Sequence, residues 1–194
     1  MVRNGELVFY YGAMGAAKTS NAIVMAHHYR NNELIAIAFR PIVDTRDTTE
    51  QICSHRGHNM SYPAIRFDKE YNFYIEQQKK EIDLIIIDEA QFLTKKQVEQ
   101  LAALADEKCI KVFCYGLLTT AKGLLFEGSK RLVELADKMI LLHSICKCGK
   151  DATMNAMYTR DGYRIYNKTD VVIDDGNVIY EQTCRNCWFN KEEI

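Results

Sequence analysis

The chain has 194 residues, 47% of them hydrophobic, with a formal net charge of −1, which gives length for one full domain and a small accessory one, and apolar side chains enough for a true core. So even a balance excludes bulk electrostatic attraction to nucleic acid or to a membrane surface, and neither is expected as a partner. No window reaches membrane-span length, Met1-Val-Arg-Asn-Gly5 lacks signal-peptide character, and only two prolines interrupt the chain, so the cytoplasm is the expected compartment and no disordered linker is expected.

The first expected strand is the apolar run Leu7-Val-Phe-Tyr-Tyr11. It runs into Gly12, Ala13, Met14, Gly15, Ala16, Ala17, Lys18, Thr19 and Ser20, and then into a helix-forming segment that ends near Asn31. Strand, small-residue loop, Lys-Thr, helix is the context of a phosphate-binding P-loop. Backbone N–H groups at a helix N-terminus have no partners of their own and carry partial positive charge, which suits phosphate oxygens. Lys18 would add a full charge, and Thr19 a hydroxyl ligand for Mg²⁺. The usual pattern is G-x-x-x-x-G-K-[ST], and Ala17 stands at its second glycine. If that position needs positive φ, the methyl group costs on the order of 1 kcal/mol. Taken alone, the stretch also reads as an ordinary strand-to-helix turn with a surface lysine.

Leu34 to Phe39 is a second apolar run, fit for a buried parallel strand and completing a right-handed βαβ unit. Arg40 to Pro63 is polar and aperiodic, and is expected to be a functional loop. Arg46 falls in it, just past a strand expected beside the P-loop edge, where α/β sheets bind ligands. Arg46 and Arg56 also read as plain surface charges. Tyr71 to Lys80 has helical character. Leu84-Ile-Ile-Ile87 followed by Asp88 and Glu89 is a Walker-B pattern on an expected central strand. Asp88 would hold Mg²⁺, and Glu89 would be placed to take a proton from a nucleophile. Two acids starting a helix, where they complement its dipole, are the alternative. The P-loop upstream, in the usual order, favours catalysis.

Ile110 to Tyr115 is a further apolar run, with Cys109 and Cys114 expected in the core. Glu127 to Ala136 is amphipathic, with Leu132, Val133 and Leu135 opposed to Lys130, Arg131 and Glu134, and should pack on the sheet. Four of the seven cysteines form two close pairs, Cys146/Cys148 and Cys184/Cys187. Such pairs on two turns suit a zinc ribbon, in which four thiolates hold a region too small to build its own core; four scattered buried thiols are the alternative. Asp161-Gly162 reads as a turn, and Asp175-Gly-Asn177 as a hairpin turn between Val171–Ile173 and Val178–Tyr180. The expected organisation is an α/β fold, a P-loop NTPase-type parallel sheet flanked by helices over residues 1–143, plus a small zinc-ribbon domain over residues 144–194.

Taken together, these motifs resemble the type II thymidine kinases. The resemblance runs through Gly12–Thr19, Asp44-Thr-Arg46, Ser54 with Gly57, Ile87-Asp-Glu-Ala-Gln-Phe92, Cys114-Tyr-Gly-Leu117, Leu125-Phe-Glu-Gly-Ser129, Ala136-Asp-Lys138, Ile145-Cys146, Ala152-Thr-Met-Asn155, Tyr180 and Cys184–Cys187. It implies phosphoryl transfer from ATP, with Mg²⁺, to the 5′-hydroxyl of thymidine, in nucleoside salvage for DNA synthesis. It implies Glu89 as general base, Thr19 and Asp88 at Mg²⁺, and Arg46 beside the transferred phosphoryl group. Gln91, Phe92 and Phe126 would lie around the substrate. Tyr180 and a lasso at Val172, Ile173, Asp174, Asp175 and Gly176 would hold the base. A structural Zn²⁺ on the four cysteines and a homotetramer are implied as well. The chain departs from the family pattern at Ala17, at Leu118, Thr120 and Ala121 of the lid loop, and at Asp174 and Asp175 of the lasso. A weak or inactive nucleotide-binding homologue with a regulatory or assembly role fits the same departures.

Overall fold

The computed structural model describes residues 4–44, 49–54, 60–77, 81–166 and 178–190. In chain order these form β1 (Glu6–Tyr11), α1 (Lys18–Asn31), β2 (Ala36–Pro41), β3 (Gln51–Cys53), β4 (Ser61–Phe67), α2 (Phe73–Gln77), β5 (Leu84–Ile87), a 3-10 turn at Ala90–Phe92, α3 (Lys95–Lys108), β6 (Lys111–Gly116), α4 (Glu127–Leu135), β7 (Lys138–Leu141), β8 (Met154–Thr159), β9 (Val178–Thr183) and α5 (Arg185–Asn190).

β1 to β7 make one sheet in the order β3-β4-β2-β5-β6-β1-β7. Every pairing in it is parallel except β3 with β4. The expected α/β architecture is therefore present. β5 lies at the middle of the sheet, and all four of its residues are fully buried, as an uninterrupted Leu-Ile-Ile-Ile run requires. Alternation along the strands divides the core. Phe9, Phe39, Ile85, Ile87, Val112 and Cys114 pack with α3 and α4 on one face. Val8, Ala38, Leu84, Ile86, Phe113 and Tyr115 pack with Ala22, Ile23 and Ala26 of α1 on the other.

Several sequence expectations are corrected. β2 is not beside β1, because β6 and β5 stand between them. The most uniformly apolar strands take the centre, and the crossover through the 14-residue α1 is long enough to jump them. The stretch from 40 to 63 is not one loop. It holds β3 and the start of β4, where buried Tyr62 and Ala64 alternate with exposed Ser61, Pro63 and Ile65, a period of two that Pro63 disguises. Cys109 is exposed; it ends α3 in the left-handed conformation, φ 54°, while Cys114 is in the core. In α4, Leu132 is buried but Val133 is exposed. The hairpin expected across Asp175–Asn177 has both its turn and its first strand outside the described residues; β9 pairs antiparallel with β8, Met157 opposite Tyr180. The Asp161-Gly162 turn is present, closed by Thr159 N donating to Tyr163 O at 2.8 Å.

α3 starts on a capping box. Thr94 Oγ1 accepts from Gln97 N at 3.2 Å, and Gln97 Oε1 accepts from Thr94 N at 3.0 Å, so two of the unpaired donors at the helix start are satisfied reciprocally. From there Val98, Leu101, Leu104 and Ala105 point into the core.

Candidate active site

The loop between β1 and α1 is short and built of small residues because other chain crowds it. A Cβ on Gly12 would come within 2.3 Å of Leu142 O and 2.9 Å of the Ala16 Cβ. α1 then begins with no side-chain cap and no acidic residue in its first turn. Its first N–H groups are thus left for an acceptor from outside the helix, and an anion satisfies them best. Lys18 Nζ donates to Gly12 O at 3.1 Å and Ala13 O at 2.9 Å, so the ammonium is folded over the loop. Ser20 turns the other way, its Oγ 2.6 Å from Ser54 Oγ.

β5 delivers Asp88 to the same rim. Thr19 Oγ1 donates to Asp88 Oδ2 at 3.0 Å, with Oδ1 at 3.2 Å. A hydroxyl and a carboxylate in contact are hard oxygen donors of the kind Mg²⁺ takes, and the pair fits that ion. Glu89 follows with a left-handed backbone, φ 51° and ψ 43°. Its Oε2 accepts from Gln91 Nε2 at 2.5 Å, while Gln91 Oε1 accepts from Leu117 N at 3.0 Å. Gln91 is buried. It therefore ties the acid to the start of the lid loop, a role not assigned to it by sequence. Phe92 and Phe126 meet edge to face, centroids 6.1 Å apart at 68°.

The lid loop is compact. Thr119 bridges Leu125, and Thr120 N donates to Leu124 O at 2.8 Å. Leu118 packs against the main core, Thr120 is buried, and Ala121 O accepts from Trp188 Nε1 of α5 at 3.1 Å. Upstream, buried Arg40 and Asp44 pair at 3.1 Å. Arg46 lies outside the described residues, as do Val172, Ile173, Asp174, Asp175 and Gly176. Tyr180 is half-buried on β9.

The four cysteines do converge. The Sγ atoms of Cys146, Cys148, Cys184 and Cys187 lie within 4.8 Å of one another, with Cys148 and Cys184 at 3.6 Å. Sulfurs about 2.3 Å from one ion in a tetrahedron sit about 3.8 Å apart, so this set fits a structural Zn²⁺. The thiols share protons unevenly. Hydrogen bonding with the Cys148, Cys184 and Cys146 thiols pushes Cys187 up to about 12. Burial works to raise Cys146, but hydrogen bonds from the Cys148 and Cys184 backbone and the Cys148 and Cys187 thiols outweigh it and bring it down to about 7. Zinc binding to such a cluster displaces the remaining thiol protons, because the ion is held by thiolates.

Two contributors lie outside every sequence-assigned role. Asn155 Oδ1 of β8 accepts from Met14 N at 2.8 Å, and Ser144 Oγ donates to Met14 O at 3.2 Å. Ala13 packs with Cys146, Ala152 and Cys184.

The conditional expectation at Ala17 is met: its backbone is left-handed, φ 53° and ψ 29°. The residue is exposed, so its methyl group has little packing to lose. Ala17→Gly should raise stability by up to ~1 kcal/mol, a rise of about 2–4 °C in Tm for a chain of this size. A melt by calorimetry checks it, and a lower Tm would show that the methyl group stabilises the loop.

Known proteins align with nearly the whole chain. A model of the family described as thymidine kinase matches residues 5–188. The thymidine kinase of Enterobacteria phage T4 is 37% identical over 185 residues, covering 94% of this chain and 95% of that protein. That of Legionella pneumophila (strain Lens) is 38% identical over 185 residues, covering 93% and 87%. That of Salmonella typhimurium (strain LT2) is 34% identical over 184 residues, covering 93% and 88%. With matches of this extent on a parallel sheet that brings Thr19 to Asp88, the chain belongs to the thymidine kinase family.

Proposed function

We propose that the protein transfers the γ-phosphoryl group of ATP to the 5′-hydroxyl of thymidine, giving dTMP and ADP. The observation that carries this reading is the Thr19 hydroxyl on the Asp88 carboxylate, one residue from Glu89, in a member of this family. Lys18 and the N-terminus of α1 hold the β- and γ-phosphates, with the loop backbone from Gly12 to Ser20 around them. Thr19 and Asp88 hold Mg²⁺, which when bound offsets charge on those phosphates. Glu89 accepts the 5′-hydroxyl proton as the new O–P bond forms and the bond from the γ-phosphorus to the bridging oxygen breaks. Gln91 orients the Glu89 carboxylate. Phe92 and Phe126 wall the thymine, Arg46 offsets charge on the transferred group, and the lasso from Val172 to Gly176, with Tyr180, holds the base. Cys146, Cys148, Cys184 and Cys187 hold Zn²⁺ in a structural role, and the functional unit is a cytoplasmic homo-oligomer. None of the described helices is long and apolar enough to cross a membrane.

A second reading is favoured by Ala17, whose left-handed backbone strains the loop: a homologue that binds nucleotide but turns over weakly or not at all. Purified protein with Mg²⁺, ATP and thymidine decides. Formation of dTMP supports the kinase. ADP binding without product, at high protein and thymidine concentrations, supports the second reading instead.

A further inference from the structure

The tip of the phosphate loop is held from outside the large sheet. Met14 makes two side-chain hydrogen bonds through its backbone, N–H to Asn155 Oδ1 at 2.8 Å and C=O from Ser144 Oγ at 3.2 Å. Asn155 is 3% exposed and Ser144 is 7% exposed. Both belong to the cysteine-clipped part of the chain. Ser144 O accepts from Ala152 N at 2.8 Å, and Asn155 lies opposite Gln182, just ahead of Cys184. Ala13 packs against Cys146, Ala152 and Cys184. Gly12, Ala13, Gly15, Ala16 and Ala17 have almost no side chain with which to fix the loop themselves, so its conformation must come from its supports. A loop that is ordered before the ligand arrives spends less of the binding energy on ordering.

We propose that Asn155, assisted by Ser144, is a positioning residue for the phosphate loop. The β8–β9 unit thereby sets nucleotide affinity without touching nucleotide. This rests on the kinase reading only in taking the loop to hold phosphates. The hydrogen bond to Asn155 Oδ1 satisfies a half-buried donor, Met14 N, and its loss leaves that donor without this partner.

Three variants test it: Asn155→Ala, Asn155→Asp and Ser144→Ala, each read by ADP affinity in calorimetry and by hydrogen exchange at the Met14 amide. Asn155→Ala should weaken ADP binding about tenfold, within the range for a donor that loses its partner. KM for ATP should rise with it, KM for thymidine should stay within about twofold, and Met14 exchange should accelerate. Asn155→Asp keeps an acceptor oxygen in place and should restore Met14 protection. Ser144→Ala should weaken ADP binding by about two- to threefold. If Asn155→Ala binds ADP like wild type with Met14 still protected, the inference is overturned. Equal rises in both KM values together with loss of zinc would reduce Asn155 to a folding role and also overturn it. Should Asn155→Ala fail to fold, unchanged ADP affinity and Met14 exchange in Ser144→Ala overturn it. A wild type that binds no ADP overturns this inference and the kinase reading together, whereas wild type and Asn155→Ala binding ADP equally overturns this inference alone.

Discussion

Glu89→Gln is expected to lower kcat by about 10²–10⁴-fold, the range general-base catalysis supplies, while leaving ADP affinity and KM for ATP near wild type. The substitution is close to isosteric. Gln91 Nε2, which donates to Glu89 Oε2 at 2.5 Å, would still find an oxygen to bond. The left-handed backbone at position 89 is no harder for glutamine than for glutamate. What the variant lacks is a group that takes the proton from the 5′-hydroxyl while the O–P bond forms. A loss confined to kcat is the signature of an interaction made only in the transition state. Steady-state kinetics over both substrates measure it, and activity within tenfold of wild type would remove Glu89 from the mechanism.

Cys184→Ser is expected to strip the metal from the protein and to lower Tm by about 6–12 °C. Structural zinc sites contribute about 10–16 kcal/mol. The loss of one buried ligand from the four should remove at least ~3 kcal/mol of that, and each kcal/mol is worth about 2–4 °C at this chain length. Cys184 is buried, and its Sγ lies 3.6 Å from that of Cys148, so a shorter, harder hydroxyl cannot take its place. Elemental analysis should find about one zinc per wild-type chain and less in the variant. Calorimetry with a chelator should move the wild-type melt toward that of the variant. A wild type without metal whose melt ignores chelator would leave the four sulfurs as ordinary buried thiols.

The parts of the site that read out of the sequence are those where a local pattern dictates local structure. The Leu84–Ile87 run is so uniformly apolar that only a strand covered on both faces can use it, and Asp88 then has one place to emerge. The glycine-poor loop before Lys18 announced its own strained residue at Ala17. The cysteine pairs could be matched because thiolates at such spacing have few other uses. Helix α3 lies outside the sequence expectations although Thr94-x-x-Gln97 marks its start and Val98, Leu101 and Leu104 its buried face. β4 was hidden by Pro63. Strand order is a different matter. Nothing within β1 or β2 records that β5 and β6, arriving later in the chain, will settle between them. The clamp on Met14 was illegible for the same reason, since Met14 and Asn155 are 141 residues apart and neither type of side chain signals the pairing.

Trp188 is the one tryptophan of the chain. Its indole N–H is bonded to the lid loop at Ala121 O, and its backbone N donates to Cys184 O at 2.9 Å. Intrinsic fluorescence excited at the red edge of protein absorption therefore comes from a single point where lid and thiol cluster meet. The molecule carries its own optical probe of that seam, and no label need be attached to watch it.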